Sequence, residues 1–206
     1  MAINKYYPLT LAFALFNASS TSTADTFSYT FISGNFEIFS EEIDGIPEDL
    51  EGHGINLNFS FNVATNIAIT GGYGTGSADV TSGGTTVDGD VDAFGVGFLF
   101  HTPINQTTDF LAGVDLIQGS FDLKVNGTLQ PSEDADGNSI FAGIRSMATD
   151  KVELKGIIER TKIEDDSNTD MNFGASYYIE KLFSLDVGYS FDNDGNSMLF
   201  GITKHF

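Results

Sequence analysis

The sequence predicts an all-β chain folded as a single antiparallel up-and-down β-barrel of about ten strands, with eight as the runner-up. Segment after segment alternates apolar residues with polar or small ones at a period of two, the signature of strands with one greasy face. Links between these segments alternate short and long. Phe is abundant at 19 and Pro scarce at 4, and the 23 Gly supply small residues for the opposite face.

Taken in order, the chain begins with an export signal. Met1 to Tyr7 carries one positive charge, Lys5, and Pro8 to Phe16 is nearly all apolar. Ser22-Thr23-Ala24 then supplies a small-x-small site. That order is the grammar of a secretory signal peptide at 1–24, cleaved after Ala24, and its apolar run is too short to span a membrane as a helix. One domain, 25–206, remains. Strands are expected near 27–39, 53–63, 66–77, 89–101, 107–123, 138–148, 151–163, 169–180, 182–191 and 196–206. In the second, Ile55, Leu57, Phe59, Phe61 and Val63 oppose Asn56, Asn58, Ser60 and Asn62. In the fourth, Phe94, Val96, Phe98 and Phe100 oppose Gly95, Gly97, Leu99 and His101. In the ninth, Phe183, Leu185, Val187, Tyr189 and Phe191 oppose Ser184, Asp186, Gly188 and Ser190. Links after the even strands are tight (Ala64-Thr65, 102–106, Thr149-Asp150, Lys181), and links after the odd strands are longer and polar.

The final strand runs Met198 to Phe206, with Met198, Phe200, Ile202 and Lys204 on the face that leads to the terminal aromatic. An alternating strand ending in Phe resembles the closing strand of small bacterial outer-membrane β-barrels, OmpA/OmpX-like and porin-like. The resemblance implies an outer-membrane location, an apolar face turned to lipid, and recognition of Phe206, Ile202 and Phe200 by the barrel-assembly machinery. Lys204 departs from the pattern, since the third residue from the end is usually apolar or aromatic. Alternation keeps such a barrel from registering as hydrophobic, and short turns mark its periplasmic side. An even strand count leaves both termini there.

Charge divides along the same lines. The chain holds 29 Asp and Glu against 9 Lys and Arg. The odd-strand links carry most of the acids, which makes nucleic acid an excluded partner and leaves outer-membrane lipid, lipopolysaccharide and bridging divalent cations as expected ones. Asp134-Ala-Asp136-Gly137-Asn138-Ser139 and Asp192-Asn-Asp194-Gly195-Asn196-Ser197 share one pattern. Asp134, Asp136, Asp192 and Asp194 are weak candidates for a metal, because the glycine spacing is not that of an EF-hand and the bidentate Glu is missing. Asp-Gly at a tight turn is the favoured reading.

Facing inward by alternation are Arg145, Glu153, Lys155 and Glu159, joined by Asp115 and Asp186. Mixed-sign charges in a narrow lumen are expected to pair, since an unpaired buried charge costs several kcal/mol. The expected role is therefore a structural and surface-interaction barrel, its lumen plugged by these side chains and its acidic loops exposed. The alternative is a narrow cation-preferring pore; a barrel enzyme ranks third, and no cofactor is expected. Barrel proteases of the aspartyl type require an Asp-x-His pair, and barrel lipid A deacylases a His and Ser two apart on one face. His53, His101 and His205 supply neither.

Overall fold

A computed structural model describes residues 27–42, 48–164, 166–193 and 195–206. The expected signal peptide and Asp194 lie outside the described residues. Eleven strands follow one another: β1 Phe31–Glu41, β2 Leu50–Ala64, β3 Ile67–Ser82, β4 Thr85–Pro103, β5 Thr108–Val125, β6 Thr128–Leu129, β7 Glu133–Thr149, β8 Val152–Ile163, β9 Asp166–Glu180, β10 Phe183–Phe191 and β11 Gly195–His205. Apart from β6, a two-residue return on β5, each strand pairs antiparallel with its chain neighbours. β1 pairs with β11, from Phe31 opposite His205 to Glu41 opposite Gly195, and closes a ten-stranded barrel without a free edge.

The alternation read from the sequence sets which face is which. Ile55, Leu57, Phe61, Phe98, Leu116, Phe173 and Phe200 stand outward and exposed, while Asn56, Asn58, Ser60, Asn172 and Ser190 are buried inside. A barrel with apolar residues outside and polar ones inside suits a lipid surround. Tyr73 marks an edge of the apolar band, where its hydroxyl donates to Asp92 at 2.5 Å.

Strand ends differ from the sequence reading chiefly at the upper rim, although the first strand, expected from 27, begins at Phe31. At the lower rim, where β1 begins and β11 ends, four short turns join the strands, three with a register shift beside them. At the upper rim the expected long links after the third and fifth strands are largely strand. β3, β4 and β5 run 16, 19 and 18 residues, beyond the 9 of β10 that suffice to cross. Gly83 and Gly84, at φ 59° and 84°, make a two-residue reversal between β3 and β4. Asn126 and Gly127, at φ 50° and 75°, do the same between β5 and β6. Left-handed pairs of this kind match the twist of the strands they join, so the ladder continues to the tip. Leu50, Ala78 and Val80 pack together inside this upper extension, with Phe39 and Val87 against them.

Candidate functional site

Two layers of side chains occupy the lumen. The lower layer is built around Arg145 on β7, whose backbone is in register with Asp109 on β5 and Lys155 on β8. Its guanidinium meets Glu153 through two nitrogens, Nε donating to Oε1 at 3.0 Å and Nη2 to Oε2. Tyr178 donates its hydroxyl to the same carboxylate at 2.7 Å, and Lys155 Nζ lies 3.7 Å from Oε1. The residues just before β1 keep its alternation, placing the Phe27 and Tyr29 ring centres 4.3 and 5.1 Å from the guanidinium carbon. Tyr29 donates to Asp109 at 2.8 Å and stacks on His101 with ring centres 3.5 Å apart. Below and around these groups, Phe27, Tyr29, Ala68, Leu99, Leu111, Phe141 and Ile157 form one apolar cluster. A buried ion pair is tolerated when hydrogen bonds and ring faces replace the lost water, as here.

At the foot of this layer Ser184 donates to Asp186 at 3.1 Å and contacts His205 Nε2 at 3.0 Å, while Thr203 donates to Asp186 at 2.7 Å. Asp186 thus accepts from two hydroxyls, Ser184 and Thr203, beside the His205 ring.

Carboxylates without cations make up the upper layer. Asp115 accepts from Thr70 at 3.1 Å and Ser139 at 3.4 Å and packs onto Gly97, where any side chain would collide with it. Glu159 also reaches Ser139 and lies within electrostatic range of Asp115 and of Asp170, its register partner on β9. Glu37 on β1 accepts from Asn56 Nδ2 at 3.0 Å and from Ser197. Among the described residues, Arg145 and Lys155 are the Lys and Arg side chains that face inward, and both belong to the lower layer.

The structure therefore brings Arg145, Glu153 and Lys155 into one ionic cluster, with Asp186 beside it on hydroxyl donors. Asp115 and Glu159 correct the expectation of pairing: their inward neighbours are hydroxyls and other acids, because among the described residues no strand places a Lys or Arg side chain inside at that height. Residues not anticipated are Phe27 and Tyr29, which precede the first strand, and Glu37 and Asp170. For Glu37, counting alternation back from Phe36 and Ile38 supplies the signal. Asp134 and Asp136 lie within β7, with Asp136 opposite Gln118, so the turn expected there is absent. β5 carries its pairing past that height, so the reversal falls at Asn126-Gly127 instead. Asp192 does sit at a turn, accepting from Gly195 N at 2.6 Å. No three or more His, Asp or Glu among the described residues converge as a metal site.

A family model described as the outer membrane protein beta-barrel domain matches residues 9–178. No curated protein sequence matches the chain. Among solved structures, the transport unit of the autotransporter AIDA-I from Escherichia coli superposes with a TM-score of 0.56 at 12% identity, covering 96% of this chain and 95% of that one. The translocator domain of autotransporter NalP from Neisseria meningitidis gives 0.55 at 8% identity, covering 86% and 88%. Neisserial surface protein A gives 0.50 at 9%, covering 85% and 96%. At such identities these likenesses concern the fold alone.

Proposed function

The chain belongs to the outer membrane protein β-barrel family and sits in the bacterial outer membrane, and on that premise we propose that it is a closed surface barrel. Its lumen is blocked in the periplasmic half, and its acidic upper hairpins are the working part. The observation that carries this is Arg145, 0% exposed, with Glu153 on one side and the Phe27 and Tyr29 rings on the other. A ten-stranded barrel encloses little more space than an eight-stranded one, which side chains alone can fill. Above the lipid band, outward carboxylates at Asp88, Asp90 and Asp122 surround one cation, Lys124, paired to Asp90 at 3.0 Å, and leave the rim net negative. Such a rim contacts lipopolysaccharide through bridging divalent cations. We assign no catalytic role.

Planar-bilayer recordings of the refolded protein test the closure. Wild type is expected to show no steady conductance, and Arg145→Ala to show frequent brief openings. A stable cation-selective current from wild type would overturn closure in favour of a narrow cation-preferring pore. The cation-free carboxylates of the upper lumen support that second reading, since acids at a pore mouth concentrate cations.

A further inference from the structure

The outward apolar row ends at Ile140 on β7, at Ile158 on β8 and at Met171 on β9, and the next outward residues up are Asn138, Arg160 and Thr169. Register sets these changes side by side. Arg160 lies opposite Ile140 and Thr169, and Lys162 lies opposite Asn138 and Ser167. In this sector the upper edge of the lipid band is therefore an exposed cationic pair standing on exposed Ile140, Ile158 and Met171. Arg160 Nη2 donates to Ser167 Oγ at 3.1 Å, which carries the guanidinium up to the level of Lys162, the register partner of that serine.

Neither cation forms a salt bridge with a carboxylate of the described residues. Asp136, the next outward residue up β7 from Asn138, accepts from Gln118 at 3.2 Å, and Glu164, just past β8, accepts from Asp136 N at 3.3 Å. In a chain of formal charge −20 this placement is specific. The other Lys and Arg of the described residues stand elsewhere: Arg145 and Lys155 inside, Lys151, Lys181 and Lys204 at the lower rim, and Lys124 on an upper hairpin beside Asp90. A guanidinium and an ammonium flanking a serine hydroxyl offer several donors to one anion, and the arginine fork matches two oxygens of a phosphate. They do so where the apolar band stops, which is the depth of lipid headgroups, with a surface for acyl chains directly below.

We propose that Arg160, Lys162 and Ser167 directly hold a lipid A phosphate of an outer-leaflet lipopolysaccharide molecule, its acyl chains lying on Ile140, Ile158 and Met171. This seat is separate from the acidic rim, needs no bridging divalent cation, and stands whether or not the barrel conducts.

Diphosphorylated lipid A, titrated calorimetrically in EDTA into the full chain refolded in zwitterionic micelles, is expected to give saturable heat. Arg160→Gln with Lys162→Gln should weaken binding about tenfold or more. Lys151→Gln with Lys181→Gln, the same change of charge at the lower rim, should leave it unchanged. Dephosphorylated lipid A should bind about tenfold more weakly than the phosphorylated form. Saturable heat only when Mg²⁺ replaces EDTA, no saturable heat at all, equal weakening in both double variants, or equal binding of dephosphorylated lipid A would each overturn the proposal. A second measurement leaves both cations in place. The chain has no cysteine, so Thr169→Cys puts a single thiol opposite Arg160, and Thr75→Cys puts one on the outward face of β3, across the barrel. Lipid A at about four times its dissociation constant should slow maleimide labelling of the first thiol about fivefold and leave the second unchanged. An unchanged rate at Thr169→Cys, or equal slowing at both positions, would overturn the proposal.

Discussion

Arg145 holds three kinds of neighbour at once: a carboxylate, a tyrosine hydroxyl at 3.4 Å, and two aromatic faces. Removing one member of such a buried set leaves the others charged and dry. We therefore expect Arg145→Ala to destabilise the barrel by about 3–5 kcal/mol, whereas Arg145→Met combined with Glu153→Leu should recover most of that loss. Urea unfolding in phospholipid vesicles, followed by circular dichroism, measures both, and a loss below about 1 kcal/mol in Arg145→Ala would show that water still reaches the site. Alternation alone placed Arg145, Glu153 and Lys155 on the inner face, because a charge in a greasy strand can only point away from lipid. Phe27 and Tyr29, at the start of the expected 27–39 strand, share the parity of Glu37, so the same count places them inside. What alternation could not convey is their partner, since the contact of both rings with Arg145 is made across the lumen.

Strand β4 shows the two faces of one element in adjacent residues. Phe98 is 57% exposed at the middle of the outward row Phe94, Val96, Phe98, Phe100, so Phe98→Arg should cost about 2–4 kcal/mol when the protein is folded in bilayers. Gly97, one residue away, faces inward with the Asp115 carboxylate and the Val114 carbonyl filling the space a Cβ would take. Gly97→Ala should cost about 1–3 kcal/mol by overpacking. That cost should persist in detergent micelles of any chain length, while the Phe98→Arg cost should track bilayer thickness. Equal dependence on thickness for both would mean the faces are misassigned. The faces were legible because period two is insensitive to where a strand starts. The upper strand ends were not: past the lipid band the outward row turns polar (Asp92, Asp90, Asp88), and polar runs read as loop. The reversals at Gly83-Gly84 and Asn126-Gly127 were nonetheless written in the sequence, as the glycine-rich dipeptides that two-residue hairpins require.

Closure, charge and assembly belong to the molecule as a whole. With a formal charge of −20 and most of its acids above the lipid band or in the upper lumen, the chain presents one strongly negative end and one nearly balanced end. The balanced end holds the seam between β1 and β11, where Phe206 N donates to Thr30 O at 3.0 Å and Ser28 donates to Phe206 O at 3.1 Å. The Phe206 side chain itself is 54% exposed on the lipid side, and Lys204 Nζ sits 4.8 Å from its ring centre. Lys204, the departure from the usual terminal pattern, thus reaches toward the interface with its stem on the barrel and its charge over the ring. The eleven register pairs of the seam, Phe31 to Glu41 against His205 to Gly195, exclude Phe206. Deleting Phe206 should therefore leave refolding into detergent close to wild type, with a stability loss of about 1 kcal/mol from the two terminal hydrogen bonds. In cells the same deletion should sharply lower the amount of folded protein in the outer membrane, because an exposed ring that packs little is placed to be read by the assembly machinery. Heat-modifiable gel shifts of refolded protein and of membrane fractions provide the two readouts. Normal membrane levels would remove the assembly role from Phe206, and a matching loss in detergent would reassign the residue to barrel stability.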